Sequence, residues 1–177
     1  MMKKSDILVV SLLTLLGCSL FSKPSDPVEV LPAATQEGRN TLGCLLNGKV
    51  WVPKGNHGTS NLNLSYDPTY NHGTFDLRAY RYPDASSYLQ SLVLFSDSLS
   101  GTGSFSFSKG SNQAAVFVDH TTCEYVSIDA DVESWGDLMI TRFDLSKGII
   151  SGTFELTLTR NGCDTVRMTQ GRFDMKI

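Results

Sequence analysis

Four times along the chain, a glycine is followed two positions on by phenylalanine and then by another apolar residue. The copies are Gly73-Thr-Phe75-Asp-Leu77, Gly103-Ser-Phe105-Ser-Phe107, Gly152-Thr-Phe154-Glu-Leu156 and Gly171-Arg-Phe173-Asp-Met175. Strict alternation sends successive side chains to opposite faces, so each copy reads as a half-buried antiparallel strand started by a flexible turn residue. The alternation continues to Ala79, Leu158 and Ile177, with Asp76, Arg78, Glu155, Thr157 and Asp174 on the other face. The copies are unequally spaced, which makes them a recurring strand start and not a repeat architecture. Further strands are predicted at 43–52, 61–66, 88–95, 113–119, 123–129 and 137–145. Asn47-Gly48, Lys109-Gly110, Lys147-Gly148 and Asn161-Gly162 supply turns between apolar runs. Apolar residues nowhere recur at helical spacing for ten or more positions. About ten short strands in meander and hairpin connection predict an all-β domain, an antiparallel β-sandwich or a flattened β-barrel.

The start of the chain follows a different pattern. Lys3 and Lys4 precede an apolar run from Ile7 to Leu16, interrupted only by Ser11 and Thr14, and Leu15-Leu16-Gly17-Cys18 closes it. The run is about half the length that spans a bilayer as a helix. Charge, short apolar stretch and small residue are the layout of a secretory signal, predicted over 1–17. The last four residues resemble the lipobox of bacterial lipoproteins. That resemblance implies cleavage before Cys18, diacylglycerol on its thiol, and a membrane partner held through lipid. Ser19 follows the cysteine, which in enteric bacteria favours the outer membrane. The expected location is therefore the cell envelope, on the periplasmic side or the surface. Residues 18–40 contain Pro24, Pro27, Pro32 and Gly38 without strand or helix periodicity, and read as a lipid-anchored flexible tether. Residues 41–177 are expected to form one domain.

Charge narrows the partners. The chain has 15 basic and 18 acidic residues, and without Lys3, Lys4 and Asp6 the balance is 13 against 17. With no basic run, nucleic acid and anionic headgroups are poor partners. Three segments carry a family resemblance: Leu31-Pro-Ala-Ala-Thr-Gln-Glu-Gly-Arg-Asn-Thr-Leu-Gly-Cys-Leu-Leu-Asn-Gly-Lys-Val-Trp-Val-Pro53, Ile149-Ile-Ser-Gly-Thr-Phe-Glu-Leu156 and Gly171-Arg-Phe-Asp174. They resemble a family of uncharacterised envelope lipoproteins of Bacteroidetes-type bacteria. The resemblance implies an all-β envelope domain and transfers no catalytic role.

Cys44, Cys123 and Cys163 remain once Cys18 is lipidated, in a compartment where disulfides persist. A meander of 123–129, 137–145, 149–159 and 164–175 would put Cys123 and Cys163 at opposite ends. That favours a Cys44–Cys163 bridge, with three reduced thiols as the alternative. His57, His72 and His120 are scattered, and read as turn residues without the close ligand spacing of zinc sites. An EF-hand loop begun at Asp129 would need Gly at 134 and Glu at 140, where Ser134 and Ile140 stand. Asp129, Asp131 and Glu133 read as a solvated hairpin face. No nucleophile elbow, phosphate-cradling glycine loop or cofactor motif occurs, and no catalytic residue, metal ligand or cofactor is assigned. Tyr66, Tyr70, Tyr80, Tyr82 and Tyr88 are concentrated among Asn71, His72, Arg78, Arg81, Asp67 and Asp84. Aromatic faces beside polar groups suit a glycan or peptide ligand. These readings predict a lipid-anchored, non-catalytic binding module for a glycan, peptide or small ligand, with a structural or assembly role in an outer-membrane complex as the alternative and a hydrolase behind both.

Overall fold

The structure, a computed structural model, describes residues 28–56, 58–82 and 89–177. Among these, eleven strands and no helix occur: β1 (Thr41–Leu46), β2 (Lys49–Trp51), β3 (Leu62–Asp67), β4 (Thr74–Arg81), β5 (Gln90–Ser96), β6 (Gly103–Ser106), β7 (Gln113–Asp119), β8 (Glu124–Val126), β9 (Val132–Asp144), β10 (Ile149–Arg160) and β11 (Val166–Lys176). They form two antiparallel sheets, in the orders β2-β1-β11-β10-β9-β6 and β3-β4-β5-β7-β8. The sheets do not close into a barrel, and the fold is a β-sandwich. The run expected as one strand at 43–52 is two, because Asn47-Gly48 takes positive φ at both positions and folds β1 back on β2.

The core lies between the inward rows of the two sheets. Leu77, Leu92, Leu94, Ala115 and Phe117 face Leu138, Ile140, Phe154, Leu156 and Met168, all buried. Trp51 is buried too, and its indole N–H donates to Gln90 Oε1 at 2.9 Å, linking one sheet to the other.

Two of the four Gly-x-Phe motifs work differently from the strand starts expected of them. Gly152 and Gly171 lie inside β10 and β11, and the register pairs Gly152 with Phe173 and Phe154 with Gly171. Each phenylalanine ring lies over the other motif's glycine. A Cβ on Gly152 would come within 2.8 Å of Phe173 Cζ, and one on Gly171 within 2.7 Å of Phe154 Cδ1. The glycines are needed there for close packing, not for a turn.

The disulfide also differs. Cys123 pairs with Cys163, with Cα atoms 6.2 Å apart, and Cys44 is free and buried. The predicted Cys44–Cys163 bridge failed because β8 is not part of the meander. It is a three-residue strand at the edge of the five-stranded sheet, and the chain crosses to β9 within a few residues. Val132 pairs with Arg160, so the turn holding Cys123 meets the β10–β11 turn holding Cys163. Arg160 reinforces the junction, donating to Asp131 Oδ2 at 2.9 Å and to the Glu124 carbonyl at 2.8 Å. The Tyr125 hydroxyl donates to the Asp164 carbonyl.

Residues 28–40, expected to belong to the flexible tether, are fastened to the domain; residues 18–27 of that expectation lie outside the described residues. Glu29 accepts from Arg81 Nη2 at 2.9 Å and Lys54 Nζ at 3.1 Å. Asp174, expected on a solvated strand face, is 1% exposed because this segment covers it. Its carboxylate accepts from the Thr35 hydroxyl at 2.6 Å, the backbone N–H groups of Glu37, Gly38 and Arg39 at 2.9, 2.7 and 3.2 Å, and the Ser151 hydroxyl at 2.7 Å. Burial pushes this carboxyl upward, but the hydrogen bonds outweigh it and hold it well below the usual carboxylate range.

Candidate functional site

The tyrosines expected to form one patch divide over the domain. Tyr66 faces inward from β3. Its hydroxyl donates to the Leu99 carbonyl at 2.9 Å, and its ring meets Phe143 edge-on with centroids 5.2 Å apart. Burial raises its phenol pKa. Tyr70 is exposed in the β3–β4 turn, and His72 is exposed in the same turn. Tyr80 and Tyr82 stand near the opposite end of β4, their rings stacked with centroids 6.4 Å apart. The strand between these groups extends roughly 20 Å. Tyr88, like His57 and Asp84, lies outside the described residues. One ring is core and the others sit at two separate places, so no single tyrosine surface exists among the described residues.

The acidic stretch starts β9. Asp131 pairs with Arg160, and Glu133 lies 3.5 Å from Lys109 Nζ. His120 is exposed in the β7–β8 turn. Among the described residues, no group of three His, Cys, Asp or Glu side chains is arranged to hold a metal ion.

The outer face of the six-stranded sheet holds a site that the sequence reading missed. Alternation along β9 turns Glu133, Trp135, Asp137 and Met139 outward while Val132, Ser134, Leu138 and Ile140 enter the core. Trp135 is 49% exposed and Met139 41%. The register sets Trp135 beside Thr157 of β10, and Thr157 beside Arg167 of β11. Two strand spacings place the indole and guanidinium strands roughly 10 Å apart. Trp135, Glu155, Thr157, Arg167 and Thr169 line a shallow groove of about 230 Å³.

Backbone irregularity shapes this groove. In β11 the register slips between Met168 and Gly171, so Thr169 and Gln170 together oppose Glu155, and Gln170 has a φ of 52°. A bulge of this kind re-aims side chains and is frequent beside binding sites. On the other side Gly136 has a φ of 128°, and a Cβ there would stand 2.1 Å from the Glu155 carbonyl oxygen. Only glycine lets β9 approach β10 next to Trp135.

Three charges close to Trp135 are unused by the fold. Asp137 and Glu155 are cross-strand partners and both are exposed. Like charges in that position destabilise a sheet by up to about 1 kcal/mol. Neither carboxylate, nor the Arg167 guanidinium, has a side-chain hydrogen bond or ion pair among the described residues, whereas Arg78, Arg81, Arg142 and Arg160 all have acidic partners. An exposed indole beside unpaired acceptors and an unpaired donor is equipped to hold a ligand. The face is open to water and supplies no enclosed cleft in which a general acid and a base converge.

A second cavity, of about 260 Å³, lies where the N-terminal segment passes the sheet edges, and is lined by Val30, Pro32, Leu42, Val52, Pro53 and Leu62. Asn40, Thr41 and Asn61 complete its lining, which holds no ionisable group. No protein family, no curated protein and no solved structure matches the chain.

Proposed function

We propose that the protein is a lipid-anchored, non-catalytic binding module of the bacterial envelope, and that it binds through the outer face of its six-stranded sheet. The observation that carries this reading is the groove at Trp135, where a half-exposed indole is surrounded by unpaired Glu155 and Arg167. Tryptophan is enriched among the residues that carry binding energy where partners dock. The lipid anchor on Cys18 rests on the lipobox-like Leu15-Leu16-Gly17-Cys18, and the outer-membrane address on Ser19.

Retention on immobilised cell-envelope fractions tests the reading. Trp135→Ala weakens retention at least about tenfold, as loss of a central aromatic anchor does. Unchanged retention refutes it. Metabolic labelling with an alkyne fatty acid tests the anchor, since Cys18→Ser abolishes the label and releases the chain from the membrane. One observation favours the alternative, an assembly component of an envelope complex. Outward residues Val93 and Phe95 of β5, Ala114, Val116 and Val118 of β7 and Val126 of β8 form an apolar group, with exposed Glu124 at its β8 edge. A solvated outer face normally alternates to polar residues. Val116→Glu separates the two roles, because it disrupts such an assembly and leaves binding at Trp135 intact.

A further inference from the structure

We infer that the ligand of the Trp135 face is a neutral carbohydrate chain, with one pyranose ring lying on the indole. The inference rests on the binding reading above and adds the ligand class. The indole offers a flat, electron-rich face of the kind that meets the weakly positive C–H groups on one side of a sugar ring. Around it the polar groups are of complementary types. Asp137 and Glu155 are acceptors only, and Arg167 is a donor only. A sugar hydroxyl is both donor and acceptor, so one hydroxylated ring can satisfy both kinds at once. Hydroxyls donated to Asp137 and Glu155 would also relieve the repulsion between these cross-strand partners.

The backbone argues against a peptide. Peptides that dock on sheets commonly add a strand at an edge and use free main-chain groups. β10 pairs with β9 along its whole length, and β6 pairs with its other side from Asp137 to Ile140. Beyond the end of β6 the Phe107 N–H donates to the Gly136 carbonyl at 2.9 Å, and Ser134 Oγ donates to the Phe107 carbonyl at 2.6 Å. The Gly136 carbonyl beside Trp135 is therefore already engaged, and a ligand lying on the outer face meets side chains. Charge argues against a polyanion, because two carboxylates and one guanidinium face the site. The groove is smaller than the roughly 300–1,000 Å³ clefts that enclose drug-sized ligands. It accommodates part of a ligand whose remainder runs on over the open sheet, as a polymer's would.

The test uses the detergent-solubilised mature chain and neutral hexasaccharides: β-1,4-linked glucose, β-1,4-linked N-acetylglucosamine, β-linked mannose and α-linked glucose. Isothermal titration and tryptophan emission are read together, with pooled acidic, basic and apolar hexapeptides as a parallel arm. At least one hexasaccharide binds and shifts the emission, and its affinity changes little between low and high salt. Trp135→Ala lowers that affinity at least about tenfold, Trp135→Tyr restores most of it, and Glu155→Gln lowers it severalfold, all with unchanged melting temperature. Peptide binding through Trp135 without sugar binding overturns the carbohydrate inference and leaves the binding reading standing. Sugar binding that ignores Trp135→Ala, or no binding of either class, overturns both.

Discussion

Asp174→Asn isolates the contact that fastens the N-terminal segment to the sandwich. Asparagine keeps the shape of the side chain but replaces one oxygen by an NH2 group, which cannot accept. Oδ2 serves Thr35, Glu37 and Arg39, whereas Oδ1 serves Gly38 and Ser151. The amide will turn its nitrogen toward the smaller set, where the Ser151 hydroxyl can rotate to accept but the Gly38 N–H cannot. Hydrogen bonds to a charged group contribute about 1.5–3 kcal/mol each and do not add when they share one acceptor. The expected loss is about 2–4 kcal/mol, or roughly 5–15 °C in melting temperature for a domain of this size. Urea unfolding measures the loss, and amide hydrogen exchange at Glu37, Gly38 and Arg39 shows where it occurs. The pH dependence follows from the lowered carboxyl pKa. A group more acidic in the folded state stabilises fully above its unfolded pKa, near 4, and loses that contribution as pH falls toward the folded value. The gap between wild type and variant should therefore be level from about pH 5 to 8 and shrink on acidification below about 4. A loss under about 0.5 kcal/mol, or a gap of undiminished size at about pH 2.5, would refute the reasoning.

Two other predictions concern the cysteines. Burial pushes the Cys44 thiol up to about 12, so it should resist alkylation at pH 8 in the folded protein and react at once in denaturant. Rapid labelling under native conditions would contradict that burial. Replacing Cys123 and Cys163 together by alanine should cost about 4 kcal/mol by the loop-entropy relation for a 40-residue separation, read as a lower urea midpoint. A double variant as stable as wild type would show that the Arg160 and Tyr125 contacts hold the junction without the bond.

The β architecture was legible because alternation is a local signal. Phe75 and Leu77 are buried while Arg78 is exposed, as their spacing requires. Gly152 and Gly171 misled because their reason for being glycine lies in a partner strand, and a single motif does not reveal which ring covers it. The disulfide misled because β8 reads like any short strand, while its membership of the other sheet is a tertiary fact. The candidate site was the least legible part. Five tyrosines close in sequence outweighed one tryptophan, although Tyr66 is drawn inward by strand alternation and Trp135 turned outward by it. The signal that could have found Trp135 was present in Val132-Glu-Ser-Trp-Gly-Asp-Leu-Met-Ile140. Counting from the buried ends puts Trp135 in phase with Glu133 and Asp137. Arg167 and Thr157 could not have been placed beside it without the register of β9, β10 and β11.

The fastening of residues 28–40 has a consequence for reach. Were Cys18 lipidated as proposed, the first held residue would be ten positions from the membrane, instead of at the end of the longer linker that composition suggests. Ten residues extend at most roughly 35 Å. Effective concentration falls with about the three-halves power of linker length, so halving the leash raises the local concentration of membrane-bound ligand roughly threefold. Weak single-site affinity at the sheet face would then suffice for sustained occupancy.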